Sequence, residues 1–235
     1  KKGQKIAAKR GGNDAKEGVI LAQATADGTA GVILTLNCET DFVAKNDGYV
    51  SLVQSLVDIA LTNLPESVEA LKALPYDSRL SVDEKITEQI GVIGEKLDLS
   101  GFAVVRAANV VAYNHPGNQL ATLVGLTIAG EEVAEAGRQV AMQVAAMAPI
   151  AINKDGVDER TIEREIEIGK ELAIQEGKPA DMAEKIAMGR LNKFFQENTL
   201  LSQAFVRDNK MSVEQFLNST ASGLTVSDFQ RFSLS

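Results

Sequence analysis

The chain has 235 residues, 45% of them hydrophobic, which is enough to bury a sizeable core as one large domain or two small ones without covalent staples. A formal net charge of -8 argues against phosphate-backbone binding, which needs a concentrated basic surface, so nucleic acid is not expected as a direct ligand. The single cysteine, Cys38, excludes an internal disulfide framework and a Cys-rich zinc site. No apolar run approaches the length of about 20 residues that spans a bilayer, so a soluble chain with no membrane partner is expected. The sequence opens Lys1-Lys2-Gly3 without Met, and a trimmed start is expected. The basic cluster Lys1 to Arg10 reads as a solvated helix end or linker.

From Glu17 the pattern is that of a hairpin. Gly18 to Ala24 and Ala30 to Asn37 are apolar runs separated by the polar turn Thr25-Ala26-Asp27-Gly28-Thr29. Thr40 can then cap a helix whose apolar positions Val50, Val53, Leu56, Val57 and Ala60 recur at three and four residues, ending near Asn63-Leu64-Pro65. Helical segments follow around Val68 to Leu74 and Val82 to Gly91, before Gly101 to Ala107 returns to a strand-like pattern. The order then repeats. Strands are expected over Asn109 to Tyr113 and Leu120 to Ile128, a helix from Glu131 to about Ala146, and a returning strand within Leu224 to Leu234.

The expected fold class is therefore α+β, with two tandem hairpin-helices-strand modules built on small antiparallel sheets covered by helices on one face. The domain reading is a linker or helix end over 1–16, a first module over 17–107 and a second over 108–235. The second module carries an insertion over 158–197, interrupted by Gly177-Lys178-Pro179, which reads as an antiparallel helical hairpin or coiled-coil arm. Its first helix would be roughly 28 Å long, with a seam of Ile162, Ile166, Gly169 and Ala173. The second helix would answer with Met182, Ile186, Gly189 and Lys193, and Arg160–Glu163 and Arg164–Glu167 would pair on the outer faces. A structural arm and a partner-binding arm are both open.

No catalytic constellation is present: there is one histidine, one cysteine, and no HExxH, GxSxG or GxxxxGK[ST] motif. The chain is accordingly expected not to be an enzyme and to carry no cofactor or metal. His115, before Pro116, reads as a turn residue. The unusual segment is Asn37-Cys38-Glu39-Thr40-Asp41-Phe42-Val43-Ala44-Lys45-Asn46-Asp47-Gly48, an elaborated strand-to-helix join where the second module manages with little more than Gly130. A large aromatic among Thr, Asp and Lys either folds inward as core or serves an interface.

The run Thr40-Asp41-Phe42-Val43-Ala44-Lys45 after Asn37-Cys38 resembles the hallmark motif of the elongation factor Ts family. The resemblance extends through Ile93-Gly94-Glu95, Tyr113-Asn114-His115-Pro116-Gly117, Gly177-Lys178-Pro179 and Gln203-Ala204-Phe205-Val206, and it covers essentially the whole chain. Ser100-Gly101, Gln119, Ala121 and Ala204 depart from the family pattern. The resemblance implies a bacterial cytoplasmic guanine-nucleotide exchange factor for the GTPase elongation factor Tu. It implies that Thr40, Asp41, Phe42, Val43 and Lys45 form a tip against the GTPase domain, that Ile93 and Gly94 make a second contact there, and that His115 reaches another domain of the partner. It also implies that the small helical domain with which the family begins would precede Lys1. A scaffold subunit without exchange activity, and a hydrolase using paired carboxylates, are the competing readings at this point.

Overall fold

A computed structural model describes all of residues 1–235. The chain divides into two compact units, Lys1–Ala145 together with Val226–Ser235, and Ala146–Thr225. The architecture is the expected α+β, with small antiparallel sheets and helices.

The first unit opens with helix α1 (Lys2–Arg10), where a linker or helix end was expected. It has no side-chain cap, but Lys9 and Arg10 complement the dipole at its C-terminus. Strands β1 (Glu17–Ala24) and β2 (Ala30–Cys38) form the hairpin, and the short helix α2 (Asp41–Ala44) follows directly. Helix α3 (Asp47–Asn63) is capped by Asn46, whose side chain accepts from the Gly48 amide, and stops at Leu64 in the left-handed region ahead of Pro65. Helix α4 (Val68–Ala73) and helix α5 (Val82–Ile93), the latter opened by a Ser81/Glu84 capping box, lead into strand β3 (Asp98–Arg106). The sheet order is β1-β2-β3.

The remaining elements of this unit are strands β4 (Asn109–Asn114) and β5 (Leu120–Leu126), helix α6 (Glu131–Met147), which crosses the unit boundary, and the final strand of the chain, Val226–Ser233, which pairs with β5. These three strands make the second antiparallel sheet.

Strands β1 and β2 of the first sheet are buried on both faces, with helices on one and the second sheet on the other. Val19, Leu21, Val32, Leu34, Leu36 and Cys38 turn towards the core shared with α3, α4 and α5. Their alternate neighbours Ile20, Ala22 and Ile33 pack with Val110, Ala121 and Leu123 of the second sheet. The sheets are also joined by backbone: the Ile20 amide donates to the Asn118 carbonyl, and Asn114 bonds both backbone groups of Ala22. This explains why β1 and β2 are near-continuous apolar runs instead of alternating ones.

The second unit holds the arm, helices α7 (Glu159–Gln175) and α8 (Ala180–Asn198), followed by strands β6 (Ala204–Phe205) and β7 (Asp208–Ser212) and helix α9 (Val213–Thr220), where Phe205 and Phe216 stack with centroids 4.1 Å apart. The α7 side of the seam is as expected, with Gly169 and Ala173 fully in it. The α8 side is one residue out of the expected register. Ala183, Ala187 and Leu191 are buried, whereas Met182 is exposed and Gly189 faces open space. The cause is closeness: a Cβ on Gly169 would lie 3.0 Å from the Ala187 Cα, so the helix backbones admit only small side chains there. The ion pairs of the arm are Glu167–Lys170, Lys193–Glu197 and the cross-helix Glu176–Arg190, not the Arg160–Glu163 and Arg164–Glu167 pairs expected. Glu preceding its cation, as in Glu167–Lys170, suits the helix dipole better than the reverse.

Helix α1 docks on α5 through two glycines, a Cβ on Gly3 coming within 2.0 Å of the Thr87 carbonyl oxygen and one on Gly91 within 2.9 Å of Gly3 itself. Gly3→Val is therefore expected to undock α1 and lower stability by about 1–3 kcal/mol. Gly12→Ala, with no neighbour in reach, is the neutral control. Thermal unfolding of the two variants with helical ellipticity as the signal checks this, and equal midpoints would contradict the packing.

Candidate functional site

The elaborated join begins where β2 ends. Cys38 is fully buried, and its thiol donates to the Thr40 carbonyl at 3.2 Å. Thr40, in extended conformation, is the N-cap of α2, its hydroxyl accepting from the Val43 amide at 3.3 Å. Val43 and Ala44 are half-buried and packed against the first core. With those two turned inward, the helix points Phe42 out, and its ring is 84% exposed. That value removes the reading of Phe42 as a core aromatic. Beside it Asp41 and Lys45 form an ion pair one turn apart, 2.7 Å between Oδ2 and Nζ. The lysine holds the Asp41 carboxyl below its ordinary range, and the aspartate raises the Lys45 ammonium.

Helix α5 ends at the same place. Gly94 sits at φ 82, ψ 11, a left-handed cap whose amide donates to the Ile90 carbonyl. Nothing lies within 4 Å of a Cβ built there, so the glycine is required by backbone conformation and not by space. Ile93 is half-buried against the core, while Val92 is 71% exposed. Phe42, Val92 and Ile93, together with Val43 and Tyr49, line a shallow groove of about 300 Å³. Thus Thr40, Asp41, Phe42, Val43, Lys45, Ile93 and Gly94 are brought together. His115 is not among them: it lies exposed in the β4–β5 turn, its Nδ1 2.9 Å from the Tyr113 hydroxyl.

Sequence reasoning missed Val92 and the polar ties beneath the tip. Glu95 and Glu39 each use their carboxylate to accept backbone amides across the join, from Glu39 and Thr40 in one direction and from Lys96 in the other. No periodicity marks such pairs, because the partners are 55 or more residues apart. An apolar residue on the outer side of α5 immediately after buried Gly91 was the one available signal for Val92. No group of three or more His, Cys, Asp or Glu side chains is arranged to hold a metal ion, and no helix is long and apolar enough to cross a membrane.

Two ionisable groups report on the join. Burial pushes the Cys38 thiol up to about 11. Alkylation by iodoacetamide at pH 7.5 is accordingly expected to run roughly a hundredfold or more slower than for a free thiol, and a rate near that of glutathione would contradict the buried geometry. The Lys96 amide, with Arg10 and Asn13, holds the Glu39 carboxyl below its ordinary range. A carboxylate depressed on folding stabilises above its unfolded pKa and ceases to do so as pH falls through its folded pKa. The stability difference between the native chain and Glu39→Gln is thus expected to be full at pH 6–8 and to shrink below about pH 4. Urea midpoints across that range measure it, and a difference independent of pH would sever Glu39 from the amide.

The chain is similar to known proteins over nearly its whole length. The model of the family described as "Elongation factor TS" matches residues 39–235. An elongation factor Ts of Amoebophilus asiaticus is 52% identical over 232 residues, covering 98% of this chain and 83% of that protein. Those of Christiangramia forsetii and Cytophaga hutchinsonii are 47% and 45% identical over 234 and 236 residues, covering all of this chain and 84% and 85% of theirs.

Proposed function

Because the chain belongs to the elongation factor Ts family, and so is a factor of translation elongation, we propose that it is the guanine-nucleotide exchange factor of elongation factor Tu, acting through the Phe42 tip in the bacterial cytoplasm. The single observation that carries this reading is a large aromatic ring held out in solvent on a capped, core-anchored turn, next to a second exposed apolar side chain, Val92. Exposed aromatics on rigid supports are what interface anchors look like, since little ordering entropy is lost when they are buried by a partner.

In this reading Phe42 and Asp41 press on the region of the GTPase domain that holds nucleotide phosphates through Mg²⁺. That ion tolerates little departure from octahedral geometry, so a small displacement of the partner's loops weakens the phosphate contacts and the nucleotide leaves. Binding is reciprocal: the factor must hold the empty GTPase more tightly than the loaded one, each tenfold difference being about 1.4 kcal/mol, and a returning nucleotide expels the factor. Residues 17–107 would meet the GTPase domain through Thr40, Asp41, Phe42, Val43, Lys45, Ile93 and Gly94, and His115 in 108–235 would reach another domain. The chain has no catalytic site of its own in this reading, because its work is done by differential binding.

A scaffold role without exchange is the second reading. It is favoured by the exposed apolar side chains of the arm, Ile168, Leu172, Ile174, Met182 and Met188. One assay separates the two: release of labelled GDP from loaded elongation factor Tu, accelerated by the exchange factor and untouched by a scaffold. Phe42→Ala should reduce the accelerated rate by about tenfold or more, and shift the unfolding free energy by no more than about 0.5 kcal/mol, since the ring makes little of the core. A large stability loss with undiminished exchange would return the ring to a folding role.

A further inference from the structure

The turn that presents Phe42 is not held by its own residues alone. Glu95, one residue past the α5 cap, reaches into the join. Its Oε2 accepts the amides of Glu39 and Thr40 at 3.0 and 3.1 Å, and its Oε1 accepts the Thr40 hydroxyl at 2.7 Å. A hydroxyl has one proton, and with that proton given to Glu95 its lone pairs are left for the Val43 amide, the orphan donor of the first turn of α2. Glu95 therefore sets the orientation of the cap on which the tip helix stands. The arrangement is returned by Glu39: its Oε1 accepts the Lys96 amide at 2.7 Å, and its Oε2 accepts Arg10 at 2.7 Å and Asn13 at 3.1 Å. Lys96 in turn donates from Nζ to the carbonyls of Gly11 and Asn13.

Three stretches far apart in sequence, 10–13, 39–40 and 95–96, are tied by two crossed carboxylates. Charge-assisted bonds are the stronger class of protein hydrogen bond, and each glutamate here accepts three, two of them from backbone amides at Glu95 and one at Glu39.

We propose that Glu39 and Glu95 are positioning residues of the exchange reaction, locking the Phe42 turn to the end of α5 so that Phe42, Val92 and Ile93 meet the GTPase as one preorganised surface. This rests on the exchange reading above. A tip that must be ordered during the step spends on ordering the interaction that otherwise distorts the partner. Loosening it lowers the maximal exchange rate while the encounter, made by the rest of the surface, is unchanged.

The test uses the full chain as Glu95→Gln, Thr40→Val and Thr40→Ser, with two measurements. In the free protein, alkylation of Cys38 by iodoacetamide reports the join without any partner; with elongation factor Tu loaded with labelled GDP, the maximal release rate and the half-saturating factor concentration are separated. The expected result is faster Cys38 alkylation by at least severalfold in Glu95→Gln and Thr40→Val. In Glu95→Gln the maximal release rate should fall about tenfold with half-saturation within about twofold of the native value, and Thr40→Ser, which keeps the hydroxyl, should keep the native rate of Cys38 alkylation. A mere loss of folded molecules would instead raise the half-saturating concentration and leave the maximal rate intact, which overturns the proposal. Faster alkylation with unchanged exchange overturns the positioning role and leaves the exchange reading standing. A native chain that does not accelerate release overturns both. Should Glu95→Gln lower the unfolding midpoint, Glu39→Gln, at a residue outside the proposed contact with the GTPase, decides by the same two measurements.

Discussion

Burial of β2 on both faces is the constraint from which the first unit is built. Val32, Leu34 and Leu36 are closed off by helices, and Ile33 by the second sheet, all with no measurable exposure. A strand in that position cannot slip: moving it by one residue would exchange two dissimilar apolar surfaces along its whole length. Its C-terminal end at Cys38 is consequently among the best fixed points of the fold. The tip helix starts three residues later. The exposed Phe42 side chain thus stands on a turn anchored directly in a close-packed core.

The same economy of motion governs the carboxylates under the join. Thr40 satisfies a helix terminus, Glu95 directs Thr40, and α1 takes part because Arg10 at its C-terminal end reaches Glu39. The docking of α1 on α5 through Gly3 and Gly91 belongs to the same system, since α5 is the element that carries Glu95 into place. The basic cluster Lys1 to Arg10, a helix end or linker by composition, is a brace in three dimensions.

Much of this was legible in the order of residues. The hairpin of β1 and β2, the stripe Val50, Val53, Leu56, Val57 and Ala60 on α3, and the break at Gly177 each follow from a local rule about periodicity or backbone conformation. The unbroken apolar runs of β1 and β2 also held a message, a second covering layer, that alternation-based reading passes over. The register of α8 was misread because size, and not hydrophobicity, decides a seam where Gly169 lies against Ala187. Met182 is the more apolar residue and Ala183 the one that fits. In the site, the polar neighbours of Phe42 left core and interface both open until the exposed side chain decided between them, whereas Glu39 and Glu95 look like any surface glutamates. Their role is created by chain segments that only folding brings together, and no spacing rule reaches across more than 50 residues.

The base of the arm has a geometric corollary. The Ile150 amide donates to the Asn198 carbonyl, and Ala151 bridges Thr199, so the outgoing and returning chains lie side by side at its base. Lengthening both helices by seven residues would carry the tip outward by about 10 Å without moving either root. Reach is thereby uncoupled from the body that holds it, and the hairpin bend at Gly177 is a natural place to graft a dye, a tag or a whole guest domain.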